Sequence, residues 1–168
     1  MIPFEINDLK AIFKATQSVD TLTAAMLNFG IEAKDSLQIA DQLNEVDNNF
    51  AISTKDLADG IRKAGSTAKT FGVDITQLEG HIAAIGSTTR ESGNQVGNGL
   101  KTIYSRITTM KPAADALASV NIEINDMTGN VKPVNTILGE LAEKWSTLSD
   151  SQRQNMGVTL AGRNQLSR

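Results

Sequence analysis

Apolar residues in this chain recur at intervals of four and three, the period of one buried helix face, and few folds other than a helical one can use that pattern. Ile2, Ile6, Leu9 and Phe13 make the first such stripe, and Val19, Leu22 and Met26 the next, closed by Phe29 and Gly30. Residues 5–28 read as one helix or as two, with Thr16 to Ser18 as the break in the second case. Ile39, Leu43, Val46 and Phe50 repeat the spacing. The next helix is the best specified. Ser53 stands three residues before Asp56, a relative of the capping box. Leu57, Ile61, Ala64, Ala68 and Phe71 then hold the stripe up to Gly72. Asp74 and Gln77 start a further helix with Leu78, Ile82 and Ile85 inward, and Gly86 is expected to end it.

Residues 87–99 read as a loop or a reluctant helix start, because glycines and small polar residues crowd there. Val96, Leu100, Ile103, Tyr104 and Ile107 carry a helix to Met110, and Pro112 stops it or begins the next. A short alanine-rich helix follows, with Leu117 and Val120 inward. Asn121 to Asn125 then alternate with period two. Asp126 to Asn130 have turn chemistry and Val131 begins a return strand, so a small β-hairpin is expected near residues 121–132. Val134, Ile137, Leu138, Leu141, Trp145 and Leu148 form the last wide stripe, with Trp145 as a core anchor. Ser149 and Gln152 cap a final helix through about Leu160, ended by Gly162. The expectation is a mainly α, compact domain of about seven helices plus one hairpin, occupying residues 1–168 as a single unit.

Composition removes chemistry more readily than it suggests any. With no cysteine among 168 residues, disulfides, thiolate metal sites and cysteine nucleophiles are excluded. No run is long and apolar enough to span a membrane, and a net charge of -3 gives no reason to expect nucleic acid. The one histidine, His81, sits within a helix and is read as a surface or partly packed residue. Asp56 with Asp59, and Glu140 with Glu143, are three apart and could share a helix face, but they read as solvated acids. Gly93, Gly97 and Gly99 lack the Gly-Lys-Ser/Thr ending of a phosphate loop. Close helix packing or a hinge explains them better. Lys101, Arg106 and Lys111, then Arg153, Arg163 and Arg168, read as solvated surface. Asn94 and Asn98, four apart, are candidates for a polar interface. No catalytic residue, cofactor, metal or small-molecule substrate is expected.

The order of these blocks resembles the core region of phage tail tape measure proteins, the TP901-like group of long-tailed phages and prophages, over about residues 30–168. The carrying segments are IEAKDSLQIADQLNEVDNNFAISTKDLADGIRKAG and AKTFGVDITQLEGHIAAIGS. More specific is RESGNQVGNGLKTIYSRI, where Gly93, Gly97, Leu100, Lys101 and Arg106 match a small-residue segment leading into a helix. Asn98-Gly99 departs from the usual Thr-Ala. Ile124, Asp126, Gly129 and Lys132 resemble the family's strand and turn, and Gly162 and Arg163 in LAGRNQ its terminal segment.

The resemblance implies a structural module, not an enzyme, that contributes to tail length determination and tail assembly. It implies a place in the virion tail, and in the host cytoplasm during assembly. The implied partners are further copies of the chain or other tail proteins, such as tube, tip and chaperones. A fully helical chain of this length spans only about 250 Å, so the chain reads as a piece of a longer protein. Two other readings remain: a small helical binding module with a groove for a partner helix, and a tail-associated hydrolase. The hydrolase needs Glu79, Glu91, Glu140 or Glu143 in a cleft with a second carboxylate about 5–9 Å away.

Overall fold

The structure, a computed structural model, describes residues 19–20 and 22–165; the stripe from Ile2 to Phe13, the break at Thr16 to Ser18, and Arg168 lie outside them. Residues 22–29 are helical. Seven helices follow: α1 (Ser36–Asn49), α2 (Thr54–Thr70), α3 (Ile75–Thr89), α4 (Gly93–Thr109), α5 (Lys111–Ala118), α6 (Val134–Trp145) and α7 (Asp150–Ala161). Short 3-10 turns at Ala33–Asp35 and Arg163–Gln165 flank them. With the leading segment, the described residues hold eight α-helical segments, one above the expected seven.

The caps explain most boundaries. Ser53 Oγ accepts the Asp56 N–H at 3.1 Å, which starts α2. At α3 the box is reciprocal: Asp74 accepts from the Gln77 N–H at 2.8 Å, and Gln77 Oε1 accepts from the Asp74 N–H at 3.2 Å. Ser149 and Gln152 repeat it at α7. Helix α2 ends in a Schellman stop. Gly72 takes φ 72, its N–H reaches the Lys69 carbonyl, and the Val73 N–H reaches that of Ala68. Pro112 begins α5 rather than merely stopping α4.

Helices α2 and α4 form the spine. Helix α2 packs against α1, α3 and α4, while α4 also touches α5, α6 and α7. Leu57, Ile61, Ala64 and Ala68 from α2 meet Leu78 and Ile82 from α3 and Val96, Leu100, Tyr104 and Ile107 from α4 in one buried cluster. Leu117, Ile122 and Ile137 extend it toward the later helices.

Three expectations need correction. The hairpin does not form. Among the described residues there is no strand, and only an isolated antiparallel bridge joins Asn125 to Val131. Asn121 is the reason: it adopts φ 58, its N–H bonds to the Ala118 carbonyl, and the Ile122 N–H bonds to that of Leu117. The apparent strand start is thus the stop of α5, with Asn in the left-handed position that glycine usually fills. Second, Gly86 does not end α3, which runs to Thr89 before Arg90 turns left-handed at φ 59. A Cβ on Gly86 would lie 2.6 Å from Ile52 Cδ1, so glycine serves close approach there. Third, Trp145 is 39% exposed at the end of α6 and anchors no core.

Candidate functional site

The segment read as a loop or helix start is helix from Gly93 onward, and among the described glycines Gly93 has the least room for a side chain. Gln95 Oε1 accepts from the Ser92 N–H at 3.1 Å and from its hydroxyl at 2.8 Å, closing the first turn of α4. The Gly93 N–H donates to Asp56 Oδ1 at 2.9 Å. The carboxylate near the start of α2 therefore also caps the start of α4, where helix dipoles favour negative charge. Burial works against ionisation of Asp56. The Gly93 N–H, the Ser53 hydroxyl and the Lys55 ammonium outweigh it and hold the carboxyl below its ordinary range.

Glycine is sterically required along this seam. A Cβ on Gly93 would overlap the Asp56 carbonyl. One on Gly97 would sit 2.8 Å from the Gly60 carbonyl oxygen and 2.7 Å from Lys63 Cβ. Gly60 in turn faces Ile82, whose Cδ1 would be 2.9 Å from an added Cβ. Helices α2 and α4 thus meet backbone to backbone, with α3 laid against the same glycine.

Beyond the glycines, a polar chain crosses three helices. The buried Tyr104 hydroxyl on α4 lies 2.6 Å from His81 Nδ1 on α3, and His81 Nε2 lies 3.2 Å from Asn135 Oδ1 on α6. A neutral ring with its proton on Nε2 satisfies both contacts: the tyrosine donates to Nδ1 and Nε2–H donates to the amide oxygen. Burial lowers the histidine pKa, against the opposing Asn135 bond, and pushes the tyrosine far up. His81 thus cross-links the helices, with both ring nitrogens engaged.

The acids named for a hydrolase lie on three elements, with Glu140 and Glu143 together on α6. Glu79 is 2% exposed, its Oε1 has no hydrogen-bond partner, and burial together with the Asp74 charge pushes its pKa up to about 7. Glu140 is held by Lys132 at 2.7 Å, Glu143 is exposed, and Glu91 lies in the turn before α4. Among the described residues no group of three His, Asp or Glu could hold a metal ion. No described helix is long and apolar enough to cross a membrane.

The sequence-derived interface candidates separate into three places. Gly93, Gly97 and Leu100 are buried in the seam, with Asn94 half-buried and Asn98 exposed beside it. Lys101 and Arg106 lie further along α4. There Arg106 Nη2 donates to the Thr159 carbonyl at 2.9 Å, its guanidinium beside Gly162, while Arg163 is exposed. Asp126 and Gly129 lie apart in the turn after α5: Asp126 Oδ1 accepts from the N–H groups of Thr128 and Asn130, and Gly129 takes φ 86. Sequence reading missed Gly60, Asp56 as a shared cap, and the Tyr104–His81–Asn135 chain. Only the Ser92-x-x-Gln95 spacing gave a readable signal that a helix begins at Gly93.

The fold and the seam define a helical packing module whose described side chains are organised to hold helices together. A family model described as phage-related minor tail protein matches residues 5–162, and the chain belongs to that family. Membership places it among the proteins of the phage tail, in a structural role. No solved structure matches the chain.

Proposed function

We propose that the chain is a structural assembly module of a tail tape measure protein of the TP901-like kind, and that it contributes to tail length determination and tail assembly. The carrying observation is a coincidence of place. The block most specific to the tape measure resemblance, RESGNQVGNGLKTIYSRI, supplies the glycines that let α4 meet α2 backbone to backbone. Membership in the minor tail family supports the setting. The module works by packing, as a unit of a longer protein, and its partners are other tail proteins or further copies of itself. We read it as non-enzymatic. His81 has both ring nitrogens engaged, Glu79 is buried on α3, and Glu140 is paired with Lys132.

The test is in-frame deletion of the segment encoding residues 30–165 from the tail gene that carries it, followed by electron microscopy of the particles. The expected outcome is tails of altered length, or loss of tails. Tails of unchanged length and yield overturn the tape measure reading while leaving family membership intact.

A further inference from the structure

An open groove of about 450 Å³ runs between the last turns of α2 and the middle of α4, lined by Thr67, Phe71, Lys101, Thr102, Ser105 and Arg106. Its lining contains two cations, three hydroxyls, one aromatic ring and no acid. We propose that this groove docks an acidic, extended segment of a partner protein, taking a carboxylate side chain between Lys101 and Arg106.

Charge is the first argument. Some cations of this chain are paired with acids, as Lys55 and Arg62 both hold Asp59 at 2.6 Å and Lys132 holds Glu140 at 2.7 Å, whereas no acid lines this groove. Among the described residues, Lys101 and Arg106 form no ion pair, although they share one groove. Two like charges left together without a counter-charge favour an incoming anion.

Donor geometry is the second. Arg106 is already fixed, because its Nη2 is tied to the Thr159 carbonyl at 2.9 Å. Its Nε is buried and out of a ligand's reach, which leaves the remaining Nη hydrogens as donors. An oriented guanidinium with donors left over loses little side-chain entropy on binding a planar carboxylate. Thr102 uses its hydroxyl hydrogen on the Asn98 carbonyl at 3.1 Å and keeps acceptor capacity for a peptide N–H. The hydroxyls of Thr67 and Ser105 complete the polar wall. Phe71 is half-buried and gives the methylenes of an acidic side chain an apolar floor.

A nucleic-acid backbone fits less well. It needs a basic stripe many phosphates long, and this chain carries a net charge of -3 with a single aromatic ring in the groove. The proposal does not depend on whether the protein measures tail length.

The test is titration of the isotope-labelled chain with the capped peptide Ac-Glu-Leu-Glu-Glu-NH2, followed by amide shifts. Inorganic phosphate and a short DNA duplex run as parallel arms. Saturable shifts are expected at residues 101–106 and 67–71, weakened about tenfold by Lys101→Glu and reduced at high salt. Lys111→Glu, at an exposed lysine paired with Asp115, is expected to leave binding unchanged. Equal loss in both variants, shifts spread over the surface lysines, no binding, or tighter binding of phosphate or DNA would each overturn the proposal.

Discussion

Glycine does opposite work in the α2–α4 seam and in the turn at residues 126–130. At Gly93 and Gly97 the need is space, since a Cβ would run into backbone across the helix contact. At Gly129 a Cβ would meet nothing within 4 Å, and the need is conformational, because φ is 86. Two carboxylates sharpen the contrast. Asp126 is exposed and held below its ordinary range, first by the Thr128 hydroxyl and then by the Asn130 N–H. Glu79, on the helix packed against Gly60, is buried and pushed up to about 7. The helical core tolerates strain in charge to gain contact, whereas the turn uses charge to hold a contact-poor backbone.

One carbon added to the seam carries the largest expected cost. Gly93→Ala must push α4 away from the Asp56 carbonyl and lengthen the Gly93–Asp56 hydrogen bond. The expected loss is about 3 kcal/mol, the upper range for overpacking, read from urea unfolding. A loss no greater than that of Gly129→Ala would show that the two glycines are alike after all.

The acids give the next effect. A buried acid whose folded pKa exceeds its unfolded value binds more protons in the native state. Stability associated with Glu79 is therefore fully present below pH 4.5, falls as pH rises toward about 7, and is flat above. His81 acts in the opposite sense. Its lowered pKa removes stability as pH falls below 6.5, so the two groups oppose each other in the overlapping window. Glu79→Gln is expected to add about 2 kcal/mol at pH 8, less than the full shift because the amide is also buried. Stability that then rises with pH between 5 and 7, where the parent falls or stays level, is the signature; an unchanged profile would remove Glu79 from the account. Asp126 contributes the other sign, with stability present above pH 3.8 and lost as pH falls through its depressed value.

Legibility in the sequence followed the range of the interaction. Caps at Asp74 with Gln77, and Ser149 with Gln152, are local signals, and both formed. The stops at Gly72 and Gly162 are local too, and both take positive φ. Close packing at Gly93 and Gly97 was readable as a need for small residues, but Gly60 and Asp56, the groups they meet, are distant in sequence. The hairpin failed because Ile122 and Ile124 alternate for a different reason. Asn121 turns the chain out of α5, and Ile122 folds back as the buried residue after a Schellman stop. Gly86 was misread because a glycine that ends a helix and one that admits Ile52 look the same in sequence.

A smaller effect separates steric from conformational need. Gly129→Ala is expected to cost about 1 kcal/mol, the penalty for a side chain in the left-handed region, and Gly129→Asn less, since Asn tolerates that region. At Gly93 the order reverses, because the bulkier Asn is worse than Ala. Thermal unfolding of the four variants tests this crossing of rank directly. The same order at both sites would refute the distinction between the seam and the turn.

The smallest expected effect concerns how the turn is fastened to the helices. Lys132 follows the bridge and reaches Glu140 on α6 at 2.7 Å, with side chains 21% and 34% exposed. The Lys132 N–H also bonds to the Ile124 carbonyl at 2.8 Å, and the Val134 N–H bonds to that of Phe71 at 3.0 Å, beside the stop of α2. Backbone bonds thus already hold both ends of this stretch, so the ion pair adds little. A double-mutant cycle on Lys132→Ala and Glu140→Ala is expected to give a coupling of about 0.5 kcal/mol, falling further in high salt. A coupling above about 2 kcal/mol would mean that side-chain charge, more than backbone hydrogen bonding, fixes the turn on α6, and the contrast with the glycine-packed seam would have to be redrawn around that pair.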